Sequence, residues 1–152
     1  MDKIDKQILN ILQSDGRITT KAIAERVGLS TPAALERVRK LENGGVIKGY
    51  KAILDNNSIG KKIMAILAIT NTSRTAESIE NVKSALLNLR EVKSYYFTTG
   101  RFDFIAVVAV DDIKSLEELI VKKLSTIPYI GNVETFIVLS AEEDLGVHIP
   151  VE

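Results

Sequence analysis

The sequence predicts an α+β chain in two parts: a helical first third, then a stretch in which strands and helices alternate. Two observations carry this. Residues 1–45 hold three runs with apolar residues at helical spacing, separated by turn residues. From Lys62 onward, runs rich in β-forming residues alternate with two helical ones in the order βαββαβ.

The first helix is expected from about Asp2 to Ser14, with Ile4, Ile8, Ile11 and Leu12 as its apolar stripe and Asp15-Gly16 as its stop. A second, capped by Thr19 or Thr20, buries Ile23, Ala24 and Val27 and ends at Gly28, which can take the positive φ of a helix terminus. Ser30 can cap a third helix that runs to Asn43-Gly44-Gly45. On it Leu35, Val38 and Leu41 fall on one side, while Arg37, Arg39 and Lys40 point elsewhere. A helix that packs one face and offers cations on the other suits a DNA major groove, and the turn before it makes the pair a helix-turn-helix. Val46 to Leu54 alternates like a strand and would serve as a wing.

Residues 55–61 are polar and turn-rich and read as a linker between domains 1–54 and 62–152. Beyond them a strand is expected over Ile63–Thr70 and a helix over Thr75–Asn88, with Ile79, Val82, Leu86 and Leu89 inward. Strands Val92–Thr99 and Phe102–Val110 flank Gly100-Arg101 as a tight hairpin. Asp111 or Asp112 can cap a helix carrying Leu116, Leu119, Ile120 and Leu124, and Val133–Leu139 supplies the last strand. This order is that of a ferredoxin-like βαββαβ domain, with both helices on one face of an antiparallel sheet. Phe104, Ala106 and Val108 alternate with Ile105, Val107 and Ala109, so the uncovered face is apolar too, which argues for self-association.

Composition narrows the function. There is no cysteine and one histidine, His148, so neither a thiolate nor a His-based metal site is expected. The first residues lack a signal-peptide pattern and no apolar run reaches membrane-span length, which points to a cytoplasmic protein without membrane contact. Net charge is zero, but residues 1–50 carry nine Lys/Arg against six Asp/Glu, and the remainder 11 against 14. An excess of three is modest for a nucleic-acid binder, so useful affinity calls for several copies on one DNA. Candidate DNA contacts are Ser30, Thr31 and Ala34 near the helix start, Arg37, Arg39 and Lys40 along it, and Lys48 on the following strand. Asp103 with Glu134, or Asp111 with Asp112, could be carboxylate pairs of an enzyme, but no nucleophile–base set accompanies them and helix caps are the simpler reading.

Taken in order, Ile4-Asp5-Lys6-Gln7-Ile8-Leu9, Asp15-Gly16-Arg17-Ile18, Ala24-Glu25-Arg26-Val27-Gly28-Leu29-Ser30, Gly45-Val46-Ile47-Lys48-Gly49-Tyr50, Thr99-Gly100-Arg101-Phe102-Asp103 and Glu134-Thr135-Phe136-Ile137-Val138-Leu139 resemble the Lrp/AsnC regulators, also called feast/famine regulatory proteins. The resemblance spans Met1 to about Leu139. It implies a transcription regulator that binds double-stranded DNA, responds to an amino acid or related small molecule, and forms homodimers that build tetramers or octamers. It implies no cofactor beyond that effector and no enzymatic activity. By this resemblance the effector lies between subunits against Tyr96, Thr98, Gly100, Asp103, Val133, Thr135 and Phe136. Gly100 would let main-chain N–H groups hold a carboxylate, and Asp103 would pair with an α-ammonium. Departures are Ala22 in place of an acidic capping-box residue, Thr31-Pro32-Ala33-Ala34 at the recognition-helix start, Arg101 at an often acidic position, and the acidic tail Ser140–His148. The alternative function is an architectural protein that wraps DNA around an oligomer without effector control.

Overall fold

The structure, a computed structural model, describes residues 1–142 and 146–151. It divides into two units, Met1–Ile53 with Glu142–Glu152, and Leu54–Ala141. The second unit therefore ends earlier than sequence patterning suggests, and the C-terminal segment belongs with the helical unit. Glu143, Asp144 and Leu145 of the acidic tail lie outside the described residues.

The first unit holds α1 (Lys3–Ser14), α2 (Thr20–Val27) and α3 (Thr31–Asn43). Asp2 and Asp5 form a reciprocal capping box at the start of α1, which satisfies two otherwise unpaired N–H groups. Helix α2 is capped by Thr19 and closes on Gly28 at φ 72°, where the Leu29 N–H reaches back to the Ala24 carbonyl at 2.9 Å. That closure turns the chain at once into the Ser30 cap of α3, with a proline in its first turn. Ile8, Leu9, Ile23, Ala24, Ala34, Val38 and Leu41 form the shared core.

Two expectations change here. Leu35 is 37% exposed, and the buried stripe of α3 is Ala34, Val38 and Leu41. Residues 46–54 form no strand, with Val46, Tyr50, Ile53 and Leu54 exposed and only Ile47 packed on the core. The alternation is that of a strand, but a strand needs a ladder partner. Among the described residues this chain offers none there.

The second unit contains β1 (Ile63–Asn71), α4 (Ala76–Asn88), β2 (Val92–Phe97), β3 (Phe104–Val110), α5 (Ile113–Glu118) and β4 (Ile130–Ile137). Helix α5 continues through a π turn at Leu119–Lys123 and a 3-10 turn at Leu124–Thr126. The sheet is antiparallel in the order β2-β3-β1-β4. On one face Leu67, Ile69, Phe104, Ala106 and Val108 pack against Val82 and Leu86 of α4 and against Leu116, Leu119 and Leu124. Pleat alternation puts Ile66, Tyr96, Ile105, Val107 and Phe136 on the opposite face, where Tyr96 and Phe136 are more than half exposed.

The turn between β2 and β3 is longer than a tight hairpin. Six residues, 98–103, separate the strands, with Gly100 at φ 108°. Thr98 holds this loop from both sides: its N–H donates to the Asp103 carbonyl at 2.9 Å and its hydroxyl to the Phe102 carbonyl at 2.8 Å. These bonds replace ladder pairing at the strand ends and shorten both strands. Strand β4 begins at Ile130, three residues earlier than the β-forming run suggests.

Candidate DNA-binding surface and ligand cavity

The outward side of α3 presents Thr31, Pro32, Leu35, Glu36, Arg39 and Lys40, all exposed. Among the described residues Arg39 and Lys40 make no ion pair, so both cations are available to phosphate or base edges. Ser30 has a different job first. Its hydroxyl oxygen accepts the Ala33 N–H at 3.4 Å, which leaves the O–H itself to donate. Lys48 is exposed beyond the helix.

Two residues expected on this surface are engaged elsewhere. Ala34 is 0% exposed and faces the core, because the helix starts at Thr31 and its fourth residue rotates inward. Arg37 points to α1, where Nη1 lies 2.6 Å from Asp2 Oδ2 and 2.8 Å from Asp5 Oδ1. Its side chain retains 31% exposure, but Nη1 is already taken by the two carboxylates. The capping box that starts α1 thus also anchors α3. The Asp5 N–H foremost, with Arg37 beside it, holds the Asp2 carboxyl below its ordinary value.

In the second unit a cavity of about 270 Å³ opens at the loop between β2 and β3. Thr98, Gly100 and Asp103 line it together with Asn71, Ser73, Arg74, Ile79, Phe97 and Thr99. Asp103 Oδ2 accepts the Asn71 N–H at 2.7 Å, and Oδ1 lies 3.7 Å from Arg74 Nε. That second separation is too long for a hydrogen bond, so the carboxylate oxygen and the largely exposed guanidinium both keep capacity for a ligand. Asn71 Oδ1 is buried without a hydrogen-bond partner among the described residues. Ile79 and Phe97 supply the apolar wall. An anion, a cation and an unpaired acceptor within one small apolar-walled cavity can hold a molecule that carries both charges.

The other expected effector residues do not converge here. Tyr96 and Phe136 lie on the helix-free face, on strands at opposite edges of the sheet. Val133 packs partly into the core, and Thr135 pairs in register with Leu67 on β1. Arg101, largely exposed on this loop, donates to Glu134 at 2.7 Å and lies 5.1 Å from the Phe102 ring centroid. The candidate carboxylate pairs also have structural partners. Asp111 pairs with Lys61 at 2.7 Å, and Asp112 caps α5.

Residues 1–48 match the winged helix-turn-helix DNA-binding model, and residues 64–145 match the Lrp/AsnC ligand-binding domain. The chain belongs to the Lrp/AsnC family. Leucine-responsive regulatory proteins from Klebsiella pneumoniae and Escherichia coli K12 are 34% and 33% identical over 139 residues, covering 91% of this chain and 85% of theirs. Among solved structures, a Neisseria meningitidis transcriptional regulator in complex with L-Met superposes with a TM-score of 0.90 at 25% identity, covering 99% and 97% of the two chains. Escherichia coli AsnC gives 0.87 at 26% identity, with 98% and 99% coverage.

This Lrp/AsnC regulator is therefore a DNA-binding transcription regulator with a ligand-binding domain. Sequence reading missed Asn71, Ser73, Arg74, Ile79, Phe97 and Thr99 in its cavity. The signal for Arg74 was a cation in the polar run Asn71-Thr72-Ser73-Arg74 directly after a strand. No local signal marks Asn71, whose role depends on the Asp103 contact across 32 residues. Among the described residues, no cluster of three or more His, Asp or Glu could hold a metal, and no helix is long and apolar enough to cross a membrane.

Proposed function

We propose that this protein is a sequence-selective, cytoplasmic transcription regulator whose assembly or DNA binding responds to a free amino acid held in the cavity beside Asp103. The observation that carries the reading is the opposed pair Arg74 and Asp103 with the unpaired Asn71 Oδ1 between apolar walls. Arg74 meets the α-carboxylate, Asp103 Oδ1 and Asn71 Oδ1 accept from the α-ammonium, and Ile79 and Phe97 face the side chain. The volume suits a small metabolite better than a drug-sized ligand. The L-Met complex of the Neisseria relative adds support.

DNA contact falls to Ser30, Thr31, Arg39, Lys40 and Lys48. Arg37 braces the recognition helix, and Ala34 packs beneath it. Two exposed features support assembly into dimers and then tetramers or octamers. One is the apolar sheet face with Tyr96 and Phe136, and the other is the largely exposed alternating segment 46–54, which has no strand partner among the described residues. A dimer places two α3 helices in successive major grooves. Effector binding alters DNA occupancy to the extent that it favours one assembly over another.

A thermal-shift screen of the twenty amino acids tests the reading, since a ligand of the native state raises its stability. The expected result is a selective shift that N-acetylation or esterification of the active amino acid abolishes. A flat screen with DNA binding intact would return the architectural reading.

A further inference from the structure

The cavity and the recognition helix leave one built feature unexplained, on α1. Asn10 Nδ2 donates to the Ile149 carbonyl at 2.8 Å, and Asn10 Oδ1 accepts the Ile149 N–H at 3.3 Å. Gln13 repeats the arrangement two residues earlier in the tail: Nε2 donates to the Val147 carbonyl at 2.9 Å, and Oε1 accepts the Val147 N–H at 2.7 Å. Each side-chain amide thus exchanges both of its hydrogen bonds with one backbone residue, as an opposite residue does in an antiparallel ladder. Asn10 and Gln13 are three apart on a helix and share a face, while Val147 and Ile149 are two apart on an extended segment and share a side. The two periods match. The Ile149 side chain packs against the helical core, and Gly146, at φ 74°, comes so close that a Cβ there would sit 3.3 Å from Gln13 Oε1. Pro150 has no N–H and ends the pairing.

We propose that the Asn10–Gln13 amide pair is a docking site for an extended peptide, and that its occupant is this chain's own segment 146–151, held as a releasable strap. Charge plays no part in it: four neutral hydrogen bonds and one half-buried isoleucine define the site. The strap is held to the helical unit by noncovalent contacts alone, so it can leave α1 with the chain intact. It is seated on α1, the helix that also braces α3 through Arg37. Because the bonds are few and lie near the surface, the strap opens without unfolding the helical core.

Residue-resolved amide hydrogen exchange on the full chain tests this. Val147 and Ile149 are expected to exchange slowly while His148 exchanges like free peptide. In the double variant Asn10→Ala with Gln13→Ala, which removes the acceptors of both N–H groups together with the amide donors, protection at both positions is expected to fall about tenfold or more. Core amides such as Ile23 and Val38 are expected to stay protected in that variant. Val147→Pro removes one donor from the tail side, at an exposed residue, and is expected to deprotect Ile149 equally. Uniform fast exchange across 146–149 in the wild-type chain would overturn the strap. Unchanged protection in the double variant would overturn the role of the amides. Protection that disappears on dilution would assign the segment to a second copy and overturn the tie within one chain.

Discussion

Asp103 Oδ2 accepts the backbone N–H of Asn71 at 2.7 Å, so the carboxylate lining the cavity also secures the end of β1. Structure and ligand contact divide between its two oxygens. The Asn71 N–H is part-buried and loses its partner in Asp103→Ala, which is expected to lower stability by about 1–3 kcal/mol. Asp103→Asn keeps an acceptor and is expected to lose less. Both variants are expected to lose the amino-acid response, so chemical denaturation alongside the thermal-shift screen separates the roles. An unaltered response in Asp103→Asn would discard the ammonium contact.

Arg37 and Arg39 stand two apart on one helix and are expected to fail differently. Arg37→Met breaks the contacts with Asp2 and Asp5 and is expected to lower the melting temperature, with DNA affinity falling as α3 loses its brace. Arg39→Ala and Lys40→Ala are expected to leave the melting temperature unchanged. Each is expected to reduce the slope of log Kd against log salt by about 0.9 if it removes one phosphate contact. Binding titrations at several salt concentrations read this out, and an unchanged slope in both would move the DNA surface off α3.

Acid is expected to weaken the same brace. The Asp5 N–H and then Arg37 depress the Asp2 carboxyl below 3.8, its ordinary value. A depressed carboxylate contributes stability above its unfolded value and loses it as pH falls through the folded one. Asp2→Asn keeps a cap acceptor and removes the charge. The melting-temperature gap between wild type and Asp2→Asn is expected to be full near neutrality, to begin shrinking as pH nears 3.8, and to close in stronger acid. A gap that persists undiminished in stronger acid would mean that the charge is not its source.

The helix-free sheet face is expected to carry assembly. Phe136 is about half exposed there, in register with Ile66. Phe136→Glu introduces a charge that association would have to desolvate, at a position without core contacts. The expected outcome is a smaller assembly by light scattering with an unchanged circular-dichroism spectrum. Retention of the wild-type mass would shift the assembly surface elsewhere.

Much of this was legible along the chain. Helical spacing placed α1 to α4, and Gly28 and Ser30 announced helix ends, because caps and periodicity act over three or four residues. Of the paired candidates Thr19 or Thr20 and Asp111 or Asp112, the structure selects Thr19 and Asp112. Order and alternation sufficed for the βαββαβ sheet and its second apolar face. Errors arose where the partner is remote or absent. Leu35 and Ala34 exchanged roles because a one-residue rotation of α3 is decided by what α1 and α2 offer it. The segment 46–54 alternates as a strand should, yet alternation carries no information about whether a ladder partner is present.

The sequence by itself determined the family, the three N-terminal helices and the βαββαβ order, the division into a DNA-binding and a ligand-binding part, and the candidacy of Gly100 and Asp103. Only the tertiary structure decided that Arg37 braces α1, that Arg74 and Asn71 complete the cavity, and that the tail returns to Asn10 and Gln13. The reason is range. Periodicity and capping are local couplings written in neighbouring residues. An ion pair across 35 residues, or a clasp across 139, depends on where the packed cores bring distant side chains.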